Sequence, residues 1–237
     1  MSRRRFFVDR FDRHHARIEG DRAHHLRHVL RVQPGQAFEL SDTRRIYLAR
    51  ITAATNSAIT FDLEEELPLP PPLPDLTLLA AIFKFDRFEW MLEKATELGA
   101  TSIVPVVAAR TDPGLARAAH KRIERWRRIV LEAAQQSRRL APPDLADPQL
   151  LPDALTTTSA HPRWILDETL SSPTSFTSPA AVLLSGPEGG FTGDERQAAF
   201  RHDFQPISLG PLILRAETAP VAALAVLAWL RPLATGH

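Results

Sequence analysis

The spacing of apolar residues along the chain predicts two regions of different architecture. In the first region, segments 36–41, 46–53 and 58–63 alternate apolar and polar positions, which is typical of short, half-buried strands. A short helix precedes them at 21–32, where apolar residues recur at i, i+3 and i+4. Because short strands with turn residues between them are typical of small closed sheets, we expect a small β-barrel or sandwich here.

The second region has the pattern of an α/β domain. A mostly apolar strand at 75–83, an amphipathic helix at 86–98 and a strand at 102–108 follow one another. This order is the βαβ unit of a parallel sheet. A long helix at 115–139 and a further candidate strand at 163–166 continue the pattern.

A proline-rich segment separates the two regions. Residues 67–74 hold five prolines in eight positions, a composition that favours an extended, semi-rigid spacer. We therefore predict a first domain at 1–67, a linker at 68–74 and a second domain at 75–237.

The stretch 181–195, AVLLSGPEGGFTGDE, has the form of a ligand-binding loop. A short apolar run predicts a strand buried on both faces, three glycines follow within five residues, and Thr192 with Glu195 forms the capping box of a helix. Strand, glycine loop and helix start together present backbone N–H groups to a ligand at the edge of a parallel sheet. The alternative is a tight turn that only needs positive φ. Neither of the standard nucleotide fingerprints, G-x-G-x-x-G or G-x-x-x-x-G-K-[ST], occurs in the chain.

A second glycine stretch repeats this arrangement a short distance downstream. Residues 207–211 predict another strand that ends in Gly-Pro, and an apolar helix follows at 218–230. The two glycine loops are therefore expected to line one pocket. The helix is apolar nearly all round, which predicts burial in the core or against a partner subunit, and so a homodimer.

Composition excludes several classes of chemistry. The chain has no cysteine, so disulfides, thiolate metal sites and a cysteine nucleophile are absent. No apolar run reaches 18 residues, and the first residues lack the apolar segment of a signal peptide. We therefore expect a cytoplasmic protein without a membrane anchor. The histidines of the first region lack regular ligand spacing, and no metal site is predicted.

Basic residues are concentrated near the start of the chain and along the long helix. The net charge is only +1, but residues 1–31 carry nine arginines against four acidic residues. A small barrel with an arginine-rich edge is a common RNA-binding arrangement, and the alternative is a charged accessory domain without a ligand. The long helix adds a basic stripe, which is either a solvated face or a phosphate-binding surface. The stripe consists of Arg117, Lys121, Arg125 and Arg128 and ends with Arg138 and Arg139. The residues expected to contact RNA are Arg3, Arg4, Arg5, Arg27, Arg31, Lys84 and Arg138.

Two motifs of the second region resemble those of a known family. LSGPEGGF at 184–191 and LGPLILRAETA at 209–219, in this order and spacing, resemble the RsmE family, the 16S ribosomal RNA uridine-N3-methyltransferases of the SPOUT class. The resemblance covers nearly the whole chain, with shorter motifs at 25–31, 97–99 and 136–138. The chain departs from the family pattern at Leu212, where arginine is usual, and at Phe85, where glycine is common.

The resemblance implies a fold, a cofactor and a substrate. The expected fold is α/β, with a C-terminal SPOUT-type parallel sheet containing a trefoil knot and a small PUA-like β-barrel before it. Rules of chain connection would not propose a knot, so that expectation comes from the resemblance alone. The implied cofactor is S-adenosylmethionine (AdoMet), the implied substrate is 16S rRNA of the small ribosomal subunit, and the implied assembly is a homodimer.

The two glycine loops, the resemblance and the chemistry of uracil together indicate the site residues. Arg215 and Glu217 are expected nearest the chemistry: the arginine would stabilise charge on O2 or O4 of the uracil, and the glutamate would orient it, cap a helix or accept the proton. Without cysteine, the covalent route to C5 methylation is excluded. The residues expected to hold AdoMet are Leu184, Ser185, Gly186, Pro187, Glu188, Gly189, Gly190, Leu209, Gly210, Leu212, Ile213, Leu214 and Thr218.

Two other functions stay open on the sequence. One is a non-catalytic rRNA-binding assembly factor, which would have no use for AdoMet. The other is a methyltransferase of the same fold that acts on a ribose 2′-OH or on another base.

Overall fold

The structure is a computed structural model of the chain, and it describes residues 4–156, 162–167, 178 and 180–230. Its residues form two compact units. The first unit is Met1–Pro71 with Ala134–Pro142, and the second is Pro72–Ala133 with Pro143–His237. Among the described helices, none combines the length and the apolar character that crossing a bilayer requires.

The first unit is built on a five-stranded sheet with strand order β1-β3-β4-β5-β2. All neighbours in it are antiparallel except β1 and β3, and register shifts between β4 and β5 curve the sheet. One helix packs beside it. The elements are β1 (Arg5–Phe7), β2 (His15–Glu19), α1 (Gly20–His28), β3 (Ala37–Ser41), β4 (Ile46–Ala54) and β5 (Ala58–Leu67).

The three strands and the helix predicted for this region are confirmed. The helix ends earlier than predicted, at His28. Strands β1 and β2 were not predicted, because β1 has only three residues and β2 has only two apolar positions, Ala16 and Ile18. The core of the unit is formed by apolar side chains from every strand and the helix, among them Phe6, Ile18, Leu26, Leu40, Ile51 and Phe61.

The second unit is an α/β domain with a seven-stranded parallel sheet. The strand order is β12-β10-β11-β6-β7-β8, and β9 also pairs with β7. Its elements are β6 (Leu76–Ala81), α2 (Phe85–Glu97), β7 (Ser102–Val107), α3 (Pro113–Gln136), β8 (Asp144–Leu145), β9 (Gln149–Leu150), α4 (Leu151–Thr156), β10 (Arg163–Leu166), β11 (Ala181–Ser185), α5 (Gly193–Arg201), β12 (Gln205–Ile207) and α6 (Thr218–Trp229).

The central strands are buried on both faces, as the continuous apolar runs predicted. In β6, Leu76 and Leu78 belong to one core cluster, whereas Leu79 belongs to the other. In β11, Leu183 likewise belongs to the first cluster and Leu184 to the second. Because alternate residues point to opposite faces, helices must cover both sides of this sheet.

Two predicted elements are corrected. The strand predicted at 207–211 is instead β12, which ends at Ile207, so residues 208–211 belong to a loop. The helix predicted to run to residue 139 ends at Gln136, and Arg138 adopts a left-handed conformation with φ 56°. The composition of residues 171–179, rich in serine and threonine, predicts a loop, but this segment lies almost entirely outside the described residues.

The order of the last strands determines how the site forms. From β11 the chain passes beyond β10 to reach β12, and α6 then packs against α2 and β11. Loops from all three strands therefore meet at one edge of the sheet. The trefoil knot implied by the resemblance remains a prediction.

Candidate active site

A cavity of about 530 Å³ lies at the carboxyl ends of β10, β11 and β12. Ile165 of β10 is level with Leu184 of β11 and with Pro206 of β12, so the three strands end at the same edge. The loops after them form most of the lining, and the helices contribute Arg87 of α2, Arg196 of α5 and Ala219 of α6. The volume and the position are those of a small-molecule site in an α/β sheet.

The first glycine loop, residues 186–190, connects β11 to the turn before α5. Gly190 has φ 66°, and its N–H donates to the carbonyl of Pro187 at 2.8 Å. A Cβ on Gly186 would lie 3.2 Å from the ring of Phe191. A Cβ on Gly189 would meet only the side chain of Arg110, at 3.4 Å, so the protein itself does not require glycine there. A ligand that approaches the backbone would require it.

Two residues after β7 hold this loop in place. Arg110 donates from Nη1 to the carbonyl of Gly189 at 2.7 Å, and the N–H of Ala109 donates to Glu195 Oε1 at 2.6 Å. The other oxygen of Glu195 accepts from the N–H of Thr192 at 2.8 Å, and the Thr192 hydroxyl accepts from the N–H of Glu195 at 3.2 Å. The predicted capping box is therefore confirmed, and its glutamate also connects α5 to the β7 loop.

The second glycine loop, residues 208–217, forms the opposite wall of the cavity. Gly210 has φ 133°, a conformation that side chains rarely adopt. Leu212 and Ile213 line the cavity but are 78% and 80% exposed, so they lie at its rim. The loop ends at the start of α6, where Glu217 occupies the N-cap position without a side-chain capping bond. The capping role considered for Glu217 is therefore absent.

Four charged side chains from three segments lie close together in the lining of the cavity, and one of them, Arg215, has a side chain that is 71% exposed. Glu217 is 9% exposed, and its Oε1 lies 3.9 Å from Arg215 Nη1 and 3.7 Å from Arg87 Nη1. The same Arg87 nitrogen lies 3.5 Å from Glu188 Oε1. These contacts are electrostatic, because the distances exceed those of ordinary hydrogen bonds.

Sequence reasoning missed Arg87, Asp167 and Arg196. Asp167 follows β10 directly, is 7% exposed, and has its Oδ2 2.8 Å from Arg196 Nε. The signal for Asp167 was available, since an acidic residue at the carboxyl end of a parallel strand points to a site. Arg87 and Arg196 lie on helices, and their place in the cavity depends on how those helices pack.

Two buried polar atoms of the cavity indicate a polar ligand. Among the described residues, Ser185 Oγ and Glu217 Oε2 have no hydrogen-bond partner, although both are buried. A buried polar group without a partner is unfavourable. Ser185 lies at the end of β11 and Glu217 at the start of α6, so a ligand spanning the cavity could pair with both.

The cavity brings together most of the residues predicted to bind the cofactor. Both predicted catalytic residues, Arg215 and Glu217, line it. Leu184 is fully buried in the core, and Thr218 is exposed at the start of α6; neither lines the cavity. The predicted cofactor residues that do line it are Ser185, Gly186, Pro187, Glu188, Gly189, Gly190, Leu209, Gly210, Leu212, Ile213 and Leu214.

The expectation that Arg5 contacts RNA is corrected by its surroundings. Arg5 is 6% exposed, donates to Glu39 from Nε at 3.0 Å and from Nη2 at 2.8 Å, and donates from Nη1 to the carbonyl of Arg138 at 2.6 Å. Because every nitrogen of its guanidinium already donates within the first unit, Arg5 is unavailable to a phosphate. Arg138 also pairs with Glu39 but stays 45% exposed.

The other residues predicted to bind RNA are exposed or partly exposed. Arg4, Arg31 and Lys84 are exposed, and Arg27 is half-buried. Arg3 lies outside the described residues. On the basic stripe of α3, Arg125 donates two hydrogen bonds of 2.8 Å to Glu89, and these bonds raise the pKa of its guanidinium. Arg117, Lys121 and Arg128 of the stripe are exposed.

Comparison with known families defines the class of protein. A family described as the RNA methyltransferase domain matches residues 70–228, and one described as the RNA methyltransferase PUA domain matches residues 18–64. The fold and the cavity therefore belong to an RNA methyltransferase domain preceded by a PUA domain.

Individual relatives specify the family. The ribosomal RNA small subunit methyltransferase E of Synechocystis sp. is 37% identical over 216 residues, which are 85% of this chain and 69% of that protein. The Neisseria gonorrhoeae enzyme of the same name, solved bound to S-adenosyl methionine, has a TM-score of 0.84 and 31% identity over 97% of this chain and 98% of that chain. A Legionella pneumophila protein, solved with the same cofactor, has a TM-score of 0.87 and 26% identity over 96% of this chain and 97% of that chain.

The chain belongs to the ribosomal RNA small subunit methyltransferase E family. The resemblance found in the two glycine motifs is confirmed, and so are the SPOUT-type α/β fold and the PUA domain before it.

Proposed function

We propose that this protein transfers a methyl group from AdoMet to N3 of a uridine in 16S rRNA of the small ribosomal subunit. AdoMet-dependent methylation of rRNA follows from family membership and from the cofactor bound in similar structures. The assignment to N3 of a uridine rests on one observation: Arg215, Glu217 and Arg87 line the same cavity as the two glycine loops. Methylation of 16S rRNA followed by nucleoside mass spectrometry tests it, with 3-methyluridine expected.

The residues of the cavity fit AdoMet. Backbone groups of the two glycine loops would hold the adenine and the ribose, and Ser185 Oγ would gain a hydrogen-bond partner. AdoMet bound there would supply a methyl group from its sulfonium sulfur, and the rest of the cofactor would leave as a neutral thioether. The buried carboxylate of Glu217 and the carboxylate of Glu188 suit a cationic ligand.

The protein has to hold the uridine in line with the methyl group and stabilise the charge that forms on the base. As N3 loses its proton, negative charge spreads to O2 and O4, and the Arg215 guanidinium stabilises it there. Glu217 Oε1 orients Arg215 from 3.9 Å. Glu217 Oε2, which has no hydrogen-bond partner in the described part of the chain, is available to accept a bond from N3–H.

A glycine substitution tests where the cofactor binds. Gly189→Val should abolish AdoMet binding measured by calorimetry, because its side chain would occupy space that the ligand needs while the protein tolerates a Cβ there. The thermal midpoint of unfolding without ligand should change little. Normal AdoMet binding by this variant would place the pocket elsewhere. A chain that never binds AdoMet would instead be an assembly factor.

We also propose that the first unit, which includes Arg138, supplies affinity for RNA, and that Lys84 of the second unit also contacts RNA. Arg4 and Arg31 are exposed cations, and the unit matches a PUA domain. Each phosphate contact that is lost should reduce the dependence of RNA affinity on salt by about one unit of logarithmic slope. Arg4→Ala with Arg31→Ala should therefore flatten the salt dependence and leave AdoMet affinity unchanged. Equal loss of AdoMet binding would contradict a role confined to RNA.

The working form is proposed to be a homodimer. Helix α6 buries Ala223, Leu224 and Leu227 but leaves Val226 43% and Trp229 82% exposed. With Leu212 and Ile213 also exposed beside the cavity, the second unit presents an apolar surface suited to a second copy of the chain. The cellular location consistent with an rRNA substrate is the cytoplasm.

A further inference from the structure

We infer that Arg87 is a second guanidinium that acts on the target uracil, together with Arg215. The inference rests on the proposed function, since it concerns the charge formed when uridine N3 loses its proton. It adds a residue from α2, outside both glycine loops, to the group that contacts the base.

The position of Arg87 is the first observation. Arg87 lies in the first turn of α2, the helix that follows β6 along the chain, and its side chain lines the same cavity as Arg215 and Glu217. Its Nη1 lies 3.7 Å from Glu217 Oε1, and Arg215 Nη1 lies 3.9 Å from that same oxygen. One buried carboxylate oxygen thus attracts two guanidinium groups that come from different elements.

The second observation is that neither guanidinium is fully engaged. Within the described part of the chain, the side chains of Arg87 and Arg215 make ion pairs of 3.5–3.9 Å and donate no hydrogen bond. Arg125 is the contrasting case on the neighbouring helix, because it donates two bonds of 2.8 Å to Glu89 of α2. Arg87 and Arg215 therefore keep their N–H groups for a ligand.

The chemistry of uracil calls for two such groups. O2 and O4 lie on opposite sides of N3, and both gain negative charge as the N3 proton leaves. A single guanidinium at one side stabilises one of these oxygens, whereas a pair stabilises both. During transfer the N3–H bond and the S–CH₃ bond would break as the N3–CH₃ bond forms. The N3 proton would pass to Glu217 Oε2, which has no hydrogen-bond partner in the described part of the chain, the sulfonium would become a neutral thioether, and both arginines would stay protonated.

Two substitutions and a modified substrate test the inference. Arg87→Ala should lower kcat for RNA methylation by about 10²-fold, as the loss of one preorganised donor does in other active sites, with AdoMet affinity nearly unchanged. Arg87→Lys should recover part of the rate, because it keeps the charge. When 5-fluorouridine, whose N3 proton is more acidic, replaces the target uridine, the deficit of Arg87→Ala should shrink about tenfold.

Lys94→Ala is the matched control, because it removes a cation of the same helix, α2, that pairs with glutamates but lies outside the cavity. It should keep the wild-type rate on both substrates. Full turnover by Arg87→Ala, or an equal deficit on uridine and 5-fluorouridine, would overturn the inference, and so would loss of AdoMet binding. These outcomes leave the proposed function standing if the wild-type protein makes 3-methyluridine. A wild-type product methylated elsewhere would instead refute the proposed function itself.

Discussion

Arg4 and Arg5 are adjacent in the sequence but differ in their surroundings. Arg4 is exposed, whereas Arg5 is 6% exposed and pairs with Glu39. The sequence shows both as parts of one basic segment, because the partner of Arg5 lies 34 positions away. The same limit applied to Arg87, whose neighbours Glu188 and Glu217 come from the far end of the chain. Glycine loops and apolar runs are local patterns and could be predicted, but a pairing between distant charged residues could not.

Replacing Arg5 should destabilise the protein far more than replacing Arg4. Arg5→Ala removes three hydrogen bonds and leaves the Glu39 carboxylate, 5% exposed, with Arg138 as its remaining arginine partner among the described residues. Loss of one partner of a buried pair lowers the free energy of unfolding by about 3–5 kcal/mol. Arg4→Ala, which changes the net charge equally, should stay within about 0.5 kcal/mol of wild type. Urea denaturation measures both, and equal effects would show that Arg5 is not buried in solution.

Asp42, in the turn between β3 and β4, makes a pH-dependent contribution to the stability of the folded state. Burial acts to raise the pKa of its carboxyl, but bonds from the N–H groups of Arg45 and Arg44 outweigh this effect, and the pKa is lowered. A lowered pKa stabilises the folded state above the ordinary pKa of aspartate, about 3.9, and this contribution is lost as the pH falls. Asp42→Asn should therefore reduce stability at pH 7 but not at pH 2. Stability is measured by urea denaturation, and the same difference between Asp42→Asn and wild type at pH 7 and at pH 2 would contradict this prediction.

At the level of elements, the strand–loop–helix unit at 181–201 was predictable because its signals follow one another along the chain. The apolar run became β11, and Thr192 with Glu195 became the cap of α5. The contact of Glu195 with Ala109 was not predictable, since it depends on β7 ending beside this loop. The short strand β12 was predicted too far along the chain, at 207–211, whereas it covers Gln205–Ile207. The error arose because Ser208 and Leu209 continue the strand pattern although they lie in the loop.

Glu195 should affect the cofactor site without touching the cofactor. Glu195→Ala removes the second half of the capping box and the bond to the N–H of Ala109, next to Arg110, which holds Gly189. We expect a loss of about 1–2 kcal/mol in unfolding free energy and weaker AdoMet binding in calorimetry. Asp194→Ala, the neighbouring acidic residue of the same helical turn, should change AdoMet affinity little. Unchanged AdoMet affinity in Glu195→Ala would mean that the β7 contact does not position the loop.

For the whole molecule, the sequence pattern predicted a small β-domain followed along the chain by an α/β domain. It also predicted α6 as a helix with no polar face. The PUA assignment and the knot came from resemblance to a family, because apolar periodicity carries no information on chain threading. In the proposed homodimer a second chain would cover the exposed side of α6, and a pattern within one chain does not show such a contact.

Trp229 should be required for dimer formation. Trp229→Glu places a charge on the exposed side of α6, so sedimentation should show the mass of one chain, 26.4 kDa, where the wild type shows twice that mass. Phe200→Glu on α5, where Phe200 is 40% exposed, is the matched control and should leave the dimer intact. A wild-type protein that is monomeric at micromolar concentration and still methylates RNA would refute the proposed dimer.

The position of the transferred methyl group tests the central claim most directly. Small ribosomal subunits from cells that lack this protein are incubated with the purified protein and methyl-labelled AdoMet, and the 16S rRNA is digested to nucleosides for mass spectrometry. The account predicts labelled 3-methyluridine as the product, and its loss when Arg215 is replaced by alanine. A label on C5 of the base or on the ribose, or no label at all, would contradict it.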